Sequence, residues 1–321
     1  MWVTSSPTTV LTPTAVALGN FDGVHQGHRQ VIQPVLAAPI TANQSAHPYA
    51  TVVTFHPHPQ EFFTGQPRLL LTPLVEKSAQ LSLLGVKQLV LLPFDRALAS
   101  LNPEQFFEQV LVQQLKAVQV SIGSDFCFGQ QRSGTAKDLQ AIAARYGIAV
   151  TITSLKHLGS DRISSSAIRQ ALQQGDLPHA NQLLGHSYRL IGKVRQGQQL
   201  GRTLGFPTAN LQLPPDKLLP RLGSYAVRVH ICDRTQALDL SAVPSLPGVM
   251  NIGYRPTVDG KTQTIEVHLL DWAGDLYDQT LIVHLEAFLR SEQTFASLDA
   301  LKVQIQADCD RARTLLNVTS V

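Results

Sequence analysis

Thr14-Ala15-Val16-Ala17-Leu18 followed by Gly19-Asn20-Phe21-Asp22-Gly23-Val24-His25-Gln26-Gly27-His28 decides the fold of the first half of this chain. The first five residues are apolar or small without clean alternation, as expected of a strand covered on both faces. The next ten hold three glycines and then open a helical pattern, so they form a strand-to-helix turn. Working outward, similar runs recur at Thr51–Phe55, Gln88–Leu92, Val118–Ile122 and Ala149–Thr153. Helices with readable ends lie between them. Thr72-Pro73 reads as an N-cap with proline at the first helical position, closed by Gly85. Asn102-Pro103 repeats that start ahead of an apolar face of Phe106, Phe107, Val110, Leu111 and Leu115, and Thr135 and Gly147 bracket a further helix. Pro34 is expected to kink or end the first helix. Strands alternating with helices predict a doubly wound, Rossmann-like parallel sheet.

After Gly185 the texture changes. Apolar runs at Tyr188–Val194, Tyr225–Ile231, Val249–Tyr254, Thr264–Leu270 and Leu281–Leu289 are separated by turn-rich segments. That pattern predicts a small antiparallel β-barrel. One amphipathic helix closes the chain, with Leu298, Leu301, Ile305, Cys309, Ala312 and Leu316 at helical spacing and Ser297 as its N-cap. The 321 residues are more than one ordinary core accommodates, so two domains are expected, 1–186 and 187–321.

Bulk properties narrow the function classes. Hydrophobic residues make up 44% and charged residues 15%, a globular balance. A net charge of +3 gives no support for a nucleic-acid partner, and no run approaches a membrane span. Cys127, Cys232 and Cys309 are too scattered for a zinc site or a disulfide framework and suit a reducing cytoplasm. Residues Met1–Pro13 carry no signal-peptide pattern.

The turn at Gly19–His28 sits where α/β sheets bind ligands. Glycines there let backbone approach a phosphate, and the helix N-terminus favours anions. His25 and His28 are either an ordinary polar helix start or imidazole donors beside a triphosphate, and the strand–turn–helix context favours the second. Adenylyl transfer needs only in-line alignment and stabilisation of the leaving pyrophosphate. Ser164, Ser165 and Ser166 with Arg169 form a hydroxyl-rich helix start that reads either as an anion cradle or as a simple cap. His56 and His58 end the second strand without an evident third metal ligand. Asp125, Phe126 and Phe128 end the fourth strand, either to bind a heterocycle or as core plugs.

In the second half, Gly192-Lys193-Val194, Gly197 and Gly201-Arg202-Thr203-Leu204-Gly205-Phe206-Pro207-Thr208-Ala209-Asn210 can wrap a phosphate, or form a glycine-rich hairpin. No Walker signature follows. Thr208 and Asn210 share one face of an extended segment, and their neutral oxygens bind Mg²⁺ only with help from ATP phosphates. Glu266 lies opposite Ile265 and Val267 on its strand, as a base at the barrel mouth or as a solvated carboxylate.

Together these segments resemble the bacterial bifunctional riboflavin kinase/FAD synthetase family, nearly end to end from about Ala15 to Leu316. Gly19–His28, Gly201–Leu211, Ile265–Leu270, Gly248–Thr257 and Phe288-Leu289-Arg290 carry the similarity. The resemblance implies ATP, riboflavin and FMN as ligands, with FMN and then FAD as products, in a cytoplasmic monomer or weak homo-oligomer. It implies that His25 and His28 grip ATP phosphates within the turn that includes Gly19, Phe21, Asp22, Gly23 and Gly27. Ser164, Ser165 and Arg169 would bind them from the other side, with Asp125 and Phe126 at the flavin end. In the barrel it implies Gly201, Arg202, Gly205, Pro207 and Thr208 against a second ATP. Thr208 and Asn210 would be Mg²⁺–ATP ligands, Glu266 the base and Arg290 a flavin neighbour. Ser124 stands where an acid is common, Ser166 where threonine is usual and Asp278 where glycine is common. Competing readings are a nucleotidyltransferase for another small phosphate, a non-catalytic flavin-binding protein and an aminoacyl-tRNA synthetase. The glycine-rich segment with Glu266 argues against the first, and the intact motif set against the second. The third would need a lysine-rich signature where Ser164–Arg169 stands.

Overall fold

The computed structural model of the chain describes residues 1–38, 47–197, 200–232, 244–257 and 260–317, and at 200, 202, 255–257 and 260–262 the backbone alone. It forms two compact units, Met1–Ser165 and Ser166–Val321.

The first unit is built on a six-stranded sheet. Its strands are β1 (Trp2–Thr4), β2 (Thr14–Leu18), β3 (Tyr49–His56), β4 (Gln88–Pro93), β5 (Ala117–Gly123) and β6 (Ala149–Thr153), in the spatial order β1-β4-β3-β2-β5-β6. Every pairing is parallel. The sheet is covered on both faces because β2 feeds two cores: Val16 and Leu18 pack in one layer, Ala15 and Ala17 in the other. A side-chain period of two separates them, and each large aliphatic so buried contributes roughly 1.5–3 kcal/mol. The chain leaves β2 for β3 on one side and returns to β5 on the other, so the switch of direction falls at the carboxyl end of β2.

Helices α1 (Gln26–Leu36), α2 (Leu74–Leu83), α3 (Pro103–Phe106, continued as a wider π-type coil over Phe107–Gln114) and α4 (Ala136–Arg145) cover this sheet. Asn102 and Thr135 cap α3 and α4 through reciprocal capping boxes. Pro34 lies in the last turn of α1, which ends two residues later. One cap differs from expectation. Pro73, not Thr72, precedes the first residue of α2, and no side chain caps that helix. The Thr72 hydroxyl instead accepts a hydrogen bond from Gly23 N at 2.8 Å. Strand β1, three residues at the sheet edge, carries too short a pattern to be read in sequence.

The second unit is a closed six-stranded antiparallel barrel: β7 (Tyr188–Arg195), β8 (Ala209–Gln212), β9 (Gly223–Cys232), β10 (Leu246–Thr257), β11 (Gly260–Leu269) and β12 (Thr280–Ser291), ordered β7-β8-β11-β10-β9-β12. Two helices precede it, α5 (Ser165–Gln174) and α6 (Leu177–Leu184). Asn181 on α6 donates to Leu285 O at 3.0 Å and accepts from Tyr188 N at 2.7 Å, which is why these helices group with the barrel although the sequence places the divide at 186/187. The closing helix α7 (Leu298–Leu315) is capped by Ser297 and lays Cys309, Ala312 and Leu316 against Ala226, Val249 and Leu289. Leu298 faces solvent, because the helix touches the barrel through its later turns.

Candidate active sites

The turn after β2 holds three residues in the left-handed region: Phe21 (φ +49°), Gly23 (φ +92°) and Val24 (φ +43°). For a β-branched valine this is a costly conformation that must be imposed by its surroundings. Five contacts impose it. The Thr72 hydroxyl takes Gly23 N, and Asp22 Oδ1 accepts from Thr72 N at 3.1 Å. Thr54 Oγ1 and Lys77 Nζ donate to the Asn20 carbonyl at 3.1 and 2.9 Å. Ser165 Oγ donates to the Asp22 carbonyl at 2.8 Å. The Phe21 ring is sunk in the core with Val24, and a Cβ on Gly19 would stand 3.3 Å from that ring.

His25 is the N-cap of α1, and its Nδ1 accepts from His28 N at 3.2 Å. With Nδ1 occupied as an acceptor, the proton of the neutral ring sits on Nε2. Burial pushes the His25 pKa down to about 4, against the opposing pull of Asp22. His28 is held well below the ordinary histidine value, first by burial and then by electrostatic coupling to His25, which discourages both rings from charging together, and to Lys77. Near neutral pH both rings are therefore uncharged. They stack at 3.5 Å between centroids, tilted by 15°, and a Cβ on Gly27 would press to 3.2 Å from His25. His28 Nδ1 is buried with no hydrogen-bond partner. An unpaired buried nitrogen at a helix start fits a polar ligand.

Other expected residues fall into three groups. Ser164 and Ser165 open α5, Ser165 touches the turn directly, and Arg169 follows one helical turn later. Asp125 pairs with Arg162, and both charges act on His25, which places the 124–129 loop beside the same turn. Phe126 stacks on Phe128 at 5.9 Å, with Phe128 in the core and Phe126 packed against it. His58 caps the short helix Pro59–Thr64 with Glu61, and among the described residues no His, Cys, Asp and Glu group could hold a metal ion. Sequence reading missed Thr72 and Lys77, the braces of the turn. It also missed an aromatic group beyond β3 and β4, where the Phe94 ring meets Phe55, Phe62 and Phe63 edge-on at 5.4–5.8 Å, Phe63 being 70% exposed. An apolar ring so exposed is a signal only a structure supplies.

In the barrel, strand register assembles the second site. Asn210 pairs with Glu266, Glu266 with Asn251, Asn251 with Ser224, and Ser224 with Arg290. Directly paired residues of antiparallel strands share a face, so five strands present one polar row. Within it Thr208 Oγ1 donates to Glu266 Oε2 at 3.3 Å, and Ser224 and Asn251 are 3.4 Å apart. At the far end Arg290 makes a two-pronged pair with Asp308 of α7, its Nε at 3.1 and 2.9 Å from the two carboxylate oxygens. The glycines upstream mark close approach. A side chain on Gly197 would overlap the Asn210 amide, and one on Gly201 would overlap the Phe206 carbonyl. Gly205 takes φ +87°, and the Pro207 carbonyl lies 2.9 Å from His268 Nδ1. The Arg202 side chain lies outside the described residues. Asp278 occupies φ +62°, a conformation glycine adopts most easily, and it binds Lys193 Nζ at 2.8 Å and Arg195 at 3.1 Å. A hollow of about 660 Å³ opens between Arg195, Leu211, Lys217 and Ile265, but Thr208, Asn210 and Glu266 do not line it, so the polar row is the better candidate.

Comparison with known proteins follows the same division. The family described as FAD synthetase matches residues 8–167, and that described as riboflavin kinase matches 184–316. A bifunctional riboflavin kinase/FMN adenylyltransferase of Escherichia coli K12 is 42% identical over 305 residues, covering 95% of this chain and 93% of the relative. The Bacillus subtilis protein of the same name is 36% identical over 308 residues, covering 93% and 91%. A solved structure titled as a macrolide-efflux protein from Streptococcus pneumoniae shares the fold, with TM-score 0.81, 29% identity and 97% of this chain covered. No helix among the described residues is long and apolar enough to cross a membrane.

Proposed function

Because the chain belongs to the bifunctional riboflavin kinase/FMN adenylyltransferase family and so makes FMN from riboflavin and FAD from FMN, we propose that its two reactions are carried by the two sites just described. The adenylyltransferase is assigned to residues 1–186 and the kinase to 187–321.

In the first site an FMN phosphate oxygen attacks the α-phosphorus of ATP and pyrophosphate leaves. Charge grows on the leaving oxygens, and what lowers the barrier is a set of donors already in place. The single observation that carries this reading is the stacked, neutral His25–His28 pair at the start of α1, with the His25 tautomer set by His28 N. A neutral imidazole presents one N–H donor, which can hydrogen-bond a phosphate oxygen. Ser164, Ser165 and Arg169 add hydroxyls and a guanidinium at the start of α5. Asp125, Phe126 and the aromatic group around Phe94, with Phe63 exposed, supply a polar and an aromatic wall for the flavin.

In the second site the terminal ribityl hydroxyl attacks the γ-phosphorus, its proton passes to the base, and the bond to the β,γ-bridging oxygen breaks to release ADP. Glu266 is the base, and its place in the row keeps it between Asn210 and Asn251. Thr208 and Asn210 present neutral side-chain oxygens of the hard type that Mg²⁺ prefers, beside the Glu266 carboxylate, so they fit a Mg²⁺–ATP complex. That ion would offset charge on the ATP phosphates. Arg290, locked by Asp308, bounds the flavin side. Three free thiols and a net charge of +3 suit a cytoplasmic enzyme of small molecules with no nucleic-acid partner, working as a monomer or weak homo-oligomer.

The test is a crossed pair of variants assayed on both reactions. His28→Ala is expected to stop conversion of FMN to FAD and spare phosphorylation of riboflavin, and Glu266→Gln to do the reverse. Loss of both activities in either variant would defeat the two-site assignment.

A further inference from the structure

Lys77 braces the turn after β2 but has no part in the chemistry above, yet it is a charged residue only 8% exposed. Lysines this buried are rare unless something engages the ammonium. Here Nζ donates to the Asn20 carbonyl at 2.9 Å, and Thr54 Oγ1 donates to the same oxygen. Asn20 is the residue before left-handed Phe21, so its carbonyl sets the plane from which the turn departs. Burial lowers the Lys77 pKa from its ordinary value, Asp22 works against that and Arg68 adds to it, while the ammonium in turn lowers the pKa of His28 and His58. A neutral amide could hold one carbonyl without the cost of burying an ion. The retained charge therefore has a second use. A cation behind His28 disfavours its protonation and adds positive potential where triphosphate would lie.

We propose that Lys77 is a positioning residue for adenylyl transfer, its ammonium tethering the Asn20 carbonyl to hold the strained turn and bringing positive charge to bear on His28. The proposal rests on the reading that this turn holds ATP.

Three variants separate its parts: Lys77→Arg keeps donor and charge, Lys77→Gln keeps a donor alone, and Lys77→Met keeps neither. Misplacement of a reacting group by about 1 Å costs on the order of a hundredfold, so Lys77→Met should lower kcat for FMN to FAD by about that factor with KM for FMN changed less than about threefold. Lys77→Gln should fall between, Lys77→Arg should recover most of the rate, and riboflavin phosphorylation by the same polypeptides should stay at the parent level. A wild-type kcat in Lys77→Met overturns the proposal. So does equal loss in all three variants accompanied by a lowered melting transition of the first unit, which would mark a packing role. His28→Ala, run alongside, separates the two levels: if it leaves FAD synthesis intact, the ATP reading of the turn fails and the lysine proposal goes with it. If His28→Ala is inactive and Lys77→Met is not, only the lysine proposal fails.

Discussion

The two sites are made in opposite ways. The first is concentrated: residues 19–28 lie in one turn, bent into left-handed geometry and braced by Thr54, Thr72, Lys77 and Ser165. The second is distributed, one residue from each of five strands, aligned by register with no strained backbone in the row. Their electrostatics differ as well. Burial keeps the histidines of the first site neutral, whereas the second uses formal charges met by partners, such as Arg290 with Asp308. A turn stores its precision in conformation and fails when a brace goes. A barrel row stores it in pairing and fails when a member of the row goes.

The largest effect is expected at Glu266. If it is the base, Glu266→Gln lowers the rate of riboflavin phosphorylation by roughly two to four powers of ten, while FAD formation from supplied FMN is unchanged. Separate chromatographic assays of the two products check this. A loss under about tenfold would reduce Glu266 to an orienting role, since proton transfer by a placed base contributes more.

Next comes the far end of the row. Asp308 is 5% exposed and receives both Arg290 and Gln304. Asp308→Ala leaves a half-buried guanidinium without its counter-charge, which should cost less than the roughly 3–5 kcal/mol typical of a fully buried pair. The barrel's melting transition should fall while that of the first unit stays, as seen by calorimetry. If only the KM for riboflavin moved, Arg290 would be a ligand residue rather than a structural strut.

A brace of the turn should cost less. Thr72→Val keeps the shape of the side chain but leaves Gly23 N unpaired, a penalty of about 1–3 kcal/mol for a buried donor. FAD synthesis should drop in kcat with riboflavin phosphorylation unaffected. An unchanged kcat would mean that the turn holds its form without this contact, and the contrast between strained and unstrained sites would lose its basis.

How far each site could be read in the sequence follows from the same contrast. Strands Thr14–Leu18 and Ala149–Thr153 begin and end where the apolar runs do, because a strand buried on both faces is bounded by its own composition. The glycine-rich turn and its histidines were legible, since they are contiguous and follow such a strand. Thr72 was misread because a hydroxyl before Pro-Leu looks like a cap. The structure spends it on Gly23, 49 residues away in sequence. Lys77 was invisible for the same reason, being one lysine in a helix until the Asn20 carbonyl is placed above it. In the barrel, alternation put Glu266 on the face opposite Ile265 and Val267. Only register shows that Asn251 and Ser224 stand beside it, and spacing within a strand does not encode register between strands.

The smallest expected effect is on acid stability, and it should divide the units. His25 has a folded-state pKa near 4 against about 6.5 when unfolded. Between these values the unfolded chain binds the proton more readily, so the stabilisation is fully present above about pH 6.5 and is lost as pH falls toward 4. From pH 6.5 to 5.5 the loss is roughly 1 kcal/mol for one such histidine. His28, shifted in the same direction, adds to it. The barrel has a counterpart in His284, whose pKa burial pushes down to about 3, aided by the positive charge of Arg189. Among the described residues the first unit therefore carries three strongly shifted histidines, His25 and His28 at the turn and His58, pushed down by burial to about 4, where the second has one on a strand. Its melting transition should fall more steeply over this interval, and His28→Ala should bring the two slopes closer. Equal slopes in the parent protein would mean that the stacked pair is already solvated, and neutral donors at the proposed phosphate site would no longer follow from burial.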